Sequence, residues 1–144
     1  NNDIVLIDMG CVYKGYCSDL TRIVFLGKIN RVYNKIWTVV KQAHDASLSG
    51  VKAGVLCSGV DFAAREVIKK AGFGNNFIHS TGHGVGLDIH ESPAISQTSK
   101  EVLQKDTVIT IEPGIYIEGK FGVRIEDTVL VTKNGYKILT NTEY

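Results

Sequence analysis

The residues from His79 to Pro93 concentrate the chemistry of this chain. His79, His83 and His90 fall within twelve positions, in a sequence that has only 4 histidines. Gly82, Gly84 and Gly86 surround the middle one, so the backbone there can approach a ligand closely. Glu112 and Glu126 follow, and Asp8 and Asp19 precede, each in an apolar, strand-like context where carboxylates are scarce. One imidazole and four carboxylates form a donor set for two hard or borderline divalent cations, and their charges balance. Two such ions about 3.5–4 Å apart can share a water, lower its pKa toward ~7 and polarise a carbonyl. The chemistry implied is hydrolysis.

Taken singly, each residue also has a plainer reading. Asp8 would serve as a strand-end cap for the turn at Gly10. Arg124 and Glu126 would form a solvated cross-strand pair, and His79 and His90 would be loop residues without a role. A phosphate site is disfavoured, because Gly84-x-Gly86 is not completed by a third glycine and no Gly-Lys-Ser/Thr follows. A Ser-His-Asp hydrolase lacks its Gly-x-Ser-x-Gly elbow. Cys11 and Cys17 remain available as soft metal ligands.

Composition narrows the class. A chain of 144 residues with 44% hydrophobic content is expected to form one domain with a real core. Sixteen basic and 15 acidic residues leave a formal charge of +1, which favours neither nucleic acid nor a membrane surface. No apolar run approaches the ~18 residues of a spanning helix, and the N-terminus lacks the order of a signal peptide. Three cysteines without a CxxC pair read as reduced thiols, hence a cytoplasmic protein.

The elements that must hold these groups are legible in outline. Ile4–Met9 reads as a strand, and Ser18–Phe25 as a second, joined through a turn near Lys14-Gly15. Asp8 and Asp19, eleven positions apart, would meet across that hairpin, and Asp19 shares a face with Thr21. At ~4 Å two like charges cost on the order of 4 kcal/mol at an effective dielectric of 20, so cations should intervene. Asn30 is an N-cap for an amphipathic helix carrying Tyr33, Ile36, Trp37, Val40, Ala43, Ser47 or Leu48, and Val51. A second helix is expected from about Ser58, burying Val60, Ala63, Ala64, Val67, Ile68 and Ala71 and stopping at Gly72. Both helices read as scaffold, and His44 receives no role. Ser92-Pro93 reads as a turn, and Val102 and Leu103 as the anchors of the polar stretch after it. Thr107–Glu112 reads as a strand with Thr110 and Glu112 on one face. Ile115–Glu118 and Phe121–Val131 would pair about Gly119-Lys120, and Asn134-Gly135 closes a last hairpin. Two strand groups with two helices between them suggest a duplicated unit.

The motifs Ile7-Asp8-x-Gly10, Ser18-Asp19-Leu20-Thr21-Arg22, Gly82-His83-Gly84-Val85-Gly86, Thr110-Ile111-Glu112-Pro113-Gly114 and Val123-Arg124-Ile125-Glu126-Asp127 together resemble the pita-bread metallopeptidases. Gly114-Ile115-Tyr116 and Gly122–Asp127 are most similar to the aminopeptidase P and prolidase (Xaa-Pro peptidase) branch rather than to methionine aminopeptidases. The resemblance runs over essentially the whole chain. It implies an α+β fold with a curved, mostly antiparallel sheet and helices packed on its outer face. It implies two divalent ions, Mn above all, with Co or Zn as alternatives. Asp8 would chelate one ion, Asp19 and Glu126 would bridge both, and His83 and Glu112 would bind the other. Glu112 would also exchange protons with the attacking water. His79 and His90 would contact a proline-containing peptide and stabilise the tetrahedral intermediate, while Arg124 orients the carboxylates. Residues 1–144 would be the C-terminal catalytic domain without its upstream helices or the N-terminal domain, and a second copy of the chain is a candidate partner. Some relatives have lost their ligands and act as peptide- or protein-binding modules. All five ligands are retained here, so the enzyme reading leads and the inactive module is the alternative.

Overall fold

The computed structural model describes residues 3–140 and Thr142. Strands β1 (Asp3–Met9) and β4 (Leu20–Leu26) form the expected hairpin, with Asp8 opposite Thr21. Between them, β2 (Val12–Tyr13) and β3 (Tyr16–Cys17) fold back through Lys14 and Gly15, at φ +51° and +85°. Two consecutive positive φ values are what a two-residue hairpin of matching twist demands. Asp19 falls just outside β4, so the second strand begins later than Ser18.

Helix α1 (Arg31–Gly50) starts as expected at Asn30, whose side chain accepts the amides of Val32 and Tyr33. Helix α2 (Cys57–Lys70) ends where Gly72, at φ +87°, allows its amide to reach the Lys69 carbonyl. The Phe73 amide reaches the Ile68 carbonyl in turn, the paired bonds that satisfy a helix end. No helix among the described residues is long and apolar enough to cross a membrane.

The remaining strands are β5 (Gly82–Gly84), β6 (Glu91–Ile95), β7 (Val108–Ile111), β8 (Gly114–Ile117), β9 (Phe121–Arg124), β10 (Asp127–Val131) and β11 (Tyr136–Ile138). Five of them form an antiparallel sheet in the order β11-β10-β7-β5-β6, and β8 pairs with β9 as a separate hairpin. The expected single arm from Phe121 to Val131 is therefore two strands, broken at Ile125-Glu126 and divided between two sheets. Ser92-Pro93 is not a turn. It lies within β6 where the register against β5 slips, one of the few places a sheet tolerates proline.

Two apolar cores share the same pair of helices. Ile36, Val39, Val40 and Ala43 of α1 pack with Ala64 and Ile68 of α2 against Ile115, Val123 and Ile125. Farther along, Leu48, Val51, Cys57 and Val60 pack against Ile109, Ile111, Val129 and Val131. Each Val, Leu or Ile among them contributes roughly 1.5–3 kcal/mol on burial. The helices thus cover one face of both β units, which leaves the other face for the polar residues of β4, β5 and β7. Leu103 is fully buried beside them, whereas Val102 is 40% exposed and is tied down through its backbone, which bridges to Leu56. His44, expected to have no role, is fully buried with Nε2 3.2 Å from Asp127.

Two glycines are fixed by close approach. A Cβ on Gly82 would lie 1.9 Å from the Thr110 carbonyl oxygen, and one on Gly84 would lie 2.2 Å from the Ser92 carbonyl oxygen. Gly82→Ala must push β5 off β7, at about 1–3 kcal/mol by analogy with overpacked cores. A lower urea midpoint is the expected result, and an unchanged midpoint would contradict this packing.

Candidate metal centre

Carboxylates and an imidazole converge from sequence-distant elements on the face away from the helices. One ligating atom each of Asp19, His83 and Glu126 lies within 4.8 Å of the others. Asp19 precedes β4, His83 is the middle residue of β5, and Glu126 occupies the break between β9 and β10. That break turns Glu126 inward, where it is 2% exposed.

His83 presents one ring nitrogen to the cluster. Its Nδ1 lies 2.9 Å from the Gly84 carbonyl oxygen, which can only accept, so Nδ1 carries the proton. Nε2 is left facing Glu112 Oε1 at 3.2 Å and Asp19 Oδ2 at 3.8 Å. The Thr110 hydroxyl accepts the His83 amide at 3.1 Å and donates to Glu112 Oε1 at 3.2 Å, fixing both residues from one strand face.

Thr21 and Arg124 organise the opposite side. The fully buried Thr21 hydroxyl donates to Glu126 Oε2 at 2.6 Å and accepts from Arg124 Nε at 3.0 Å. Arg124 also pairs with Asp8 and donates to the Tyr116 hydroxyl at 3.2 Å. Asp8 therefore sits at the margin of the cluster, tied to Arg124 but close enough to Asp19 to affect its charge.

Burial pushes the Glu126 carboxyl up to about 8, and the neighbouring Glu112 charge adds to the rise. Asp19 is raised by burial and then by Asp8. Burial opposes a charge on His83, but the carboxylates of Glu112 and Asp19 outweigh it and raise its pKa. The site holds more negative charge than it can solvate. Its donor chemistry, an oriented imidazole nitrogen among crowded carboxylates, fits divalent cations.

The two flanking histidines are placed differently. The exposed His90 ring meets the His83 ring edge-on at 4.4 Å, so it borders the cluster directly. His79 is more withdrawn: Nδ1 donates to the Ser80 carbonyl at 2.7 Å, and Nε2 accepts the Tyr116 hydroxyl at 2.8 Å. Burial lowers its pKa.

Several participants escape a reading by residue type. Thr21, Thr110 and Tyr116 carry no charge to flag them, although two threonines on the carboxylate faces of their strands were a usable signal. Behind Glu126, Arg22 donates to the Thr21 carbonyl at 3.0 Å and to the Glu126 carbonyl, and pairs with the buried Asp127 at 2.7 Å. Asp127 also accepts the Thr140 hydroxyl at 2.5 Å.

This arrangement is the pita-bread fold, with the Asp19, His83 and Glu126 cluster on the face its helices leave free. Residues 1–133 match metallopeptidase family M24, and the chain belongs to that family. It is 51% identical over 141 residues to the Xaa-Pro dipeptidase of Pyrococcus furiosus, covering 98% of this chain and 40% of that relative. The solved prolidase from Pyrococcus furiosus superposes with a TM-score of 0.96 at 50% identity, over 98% of this chain and 42% of that one. The X-Pro aminopeptidase from Thermotoga maritima gives 0.95 at 43% identity, over 97% and 39%. The chain thus spans about 40% of the length of the curated relatives it matches.

Proposed function

We propose that this chain carries the catalytic face of a two-metal peptidase that cuts Xaa-Pro bonds, in dipeptides or at peptide N-termini. The observation that carries the reading is the convergence of Asp19, His83 and Glu126 within 4.8 Å, among carboxylates shifted toward protonation. The names of the relatives, Xaa-Pro dipeptidase and X-Pro aminopeptidase, supply the substrate class. Asp8, Asp19, His83, Glu112 and Glu126 would hold the ions, Asp19 and Glu126 bridging, with Mn favoured over Co or Zn. When bound, the ions would acidify a shared water and polarise the scissile carbonyl.

The protein's own groups do the rest. Glu112 lies against His83 and is oriented by the Thr110 hydroxyl, a suitable place from which to take and return a proton. His90 borders the cluster from the exposed side, where a substrate enters, and would stabilise charge developing on the carbonyl oxygen. His79 reaches the same region through Tyr116 and would contact the peptide. Arg124, bonded to Thr21 and Asp8, holds the carboxylate geometry. We place the protein in the cytoplasm, as the C-terminal part of a catalytic domain, with a homodimer as the candidate assembly.

The test uses the protein expressed from its complete reading frame, with Mn²⁺ and an Xaa-Pro dipeptide. His90→Ala should lower turnover by about 10²-fold or more, the usual cost of losing an acid/base or oxyanion-stabilising group. Metal content should hold. Loss of metal in that variant would make His90 a ligand, and a wild-type protein that binds metal without cleaving any Xaa-Pro peptide would favour a binding module.

A further inference from the structure

Helix α2 was expected to be scaffold alone, yet it reaches the site's backbone through one buried ion pair. Asp61 is fully buried in the middle of that helix. Arg65, one turn on, donates to both of its oxygens, Nε to Oδ2 and Nη2 to Oδ1, each at 2.8 Å. The Thr81 amide and hydroxyl donate to Oδ1 as well, at 3.2 and 2.9 Å. Arg65 spends further donors on two backbone carbonyls, Phe77 at 3.1 Å and His79 at 2.9 Å. Its guanidinium lies 4.1 Å over the Phe77 ring, and that ring meets the His79 ring edge-on at 5.1 Å.

An exposed i,i+4 pair on a helix contributes little. This pair differs because the carboxylate is out of water and every partner beyond the helix lies between residues 77 and 81. The planar fork of arginine can span two carbonyls and a carboxylate together, which a lysine cannot. The segment so held passes its position on. The Thr81 carbonyl accepts the Glu112 amide at 2.7 Å, and the Thr81 amide also reaches the Ile95 carbonyl at 2.8 Å. One ion pair therefore sets the backbone of His79 on one side and of Glu112 on the other.

We propose that Asp61 and Arg65 are positioning residues of the peptidase site, aligning His79 directly and Glu112 through Thr81. The proposal rests on the peptidase reading above. Neither residue touches a candidate metal ligand side chain; Glu112 is reached only through its backbone, so the effect should fall on catalysis and, in metal affinity, on the one ion Glu112 is proposed to hold.

The experiment compares Arg65→Met and Asp61→Asn with Lys69→Met, a control on the same helix whose side chain is 72% exposed. All are made in the protein expressed from its complete reading frame. Arg65→Met should lower kcat/KM for an Xaa-Pro dipeptide by about 10²-fold, the scale of a misplacement near 1 Å. That loss should persist at saturating Mn²⁺; by calorimetry one ion at most, the one Glu112 is proposed to hold, should bind more weakly, and the Thr81 and Glu112 amides should exchange hydrogen faster while those of β10 do not. Asp61→Asn keeps an acceptor for Thr81 and should show a smaller loss of the same kind, so it carries the test if Arg65→Met fails to fold. A purely structural role would lower the unfolding temperature and leave kcat/KM of the folded protein unchanged, which would overturn the proposal, as would loss of affinity for both Mn²⁺ ions. An inactive, metal-bound wild type would sink the peptidase reading itself, and the proposal with it. An active wild type beside an equally active Arg65→Met would sink the proposal alone.

Discussion

Replacing Asp19 or Glu126 with alanine is expected to remove bound Mn²⁺ and to lower kcat/KM by at least about 10³-fold, since a catalytic metal supplies several kcal/mol of transition-state stabilisation. Both residues belong to the cluster whose ligating atoms lie within 4.8 Å of one another, and both are proposed to serve two ions at once. Their loss should therefore weaken both sites together in a calorimetric titration. Asp8→Ala should behave differently, because Asp8 stands at the margin, paired with Arg124. Weakening of one ion with the other intact is the expected pattern there. If Glu126→Ala or Asp19→Ala shed a single ion and left the second at wild-type affinity, the bridging assignment would be wrong.

The second large effect is on stability against pH in metal-free protein. Glu126 has a pKa of about 8 in the fold against an ordinary 4.5, so the folded state binds its proton more tightly than the unfolded chain. Stability from the protonated carboxyl is fully present below pH 4.5 and is lost as pH rises through 8. At 1.36 kcal/mol per pKa unit the loss is on the order of 5 kcal/mol. Asp19 and His83, both raised, push in the same direction. His79, lowered by burial, opposes this only up to about its ordinary value of 6.5, so the decline should be clearest from pH 6.5 to 8. Saturating Mn²⁺ should reverse it, because a cation stabilises the ionised carboxylates. Urea midpoints at pH 6.5 and 8, with and without Mn²⁺, decide the matter. A flat metal-free profile would mean that the buried carboxylates are neutralised some other way.

The candidate ligands stand out in the sequence because each violates its surroundings. Asp8 and Glu112 interrupt apolar strands, and His83 sits among three glycines. Asn30, Gly72 and the Lys14-Gly15 turn were readable for a similar reason, since caps and tight turns are local. What stayed hidden depends on partners distant in sequence. Asp61 looks like a solvated helical acid until Thr81 closes over it. Asp127 looks like one more residue of an alternating strand until the break at Ile125-Glu126 turns it toward Arg22 and His44. Ser92-Pro93 has the composition of a turn, and only its register against β5 shows that it lies inside a sheet.

The hydrogen bond from Thr21 to Glu126 joins residues 105 apart in the chain, and that separation bears on how the molecule folds. Contacts so far apart repay their loop-closure entropy only after most of the intervening chain is in place. The helices and hairpins between them can form from local contacts, whereas the ligand cluster requires both ends of the chain to arrive. The centre is thus expected to be among the last parts assembled. A cation held there would act as a clasp on an almost finished fold, slowing its unfolding more than hastening its formation.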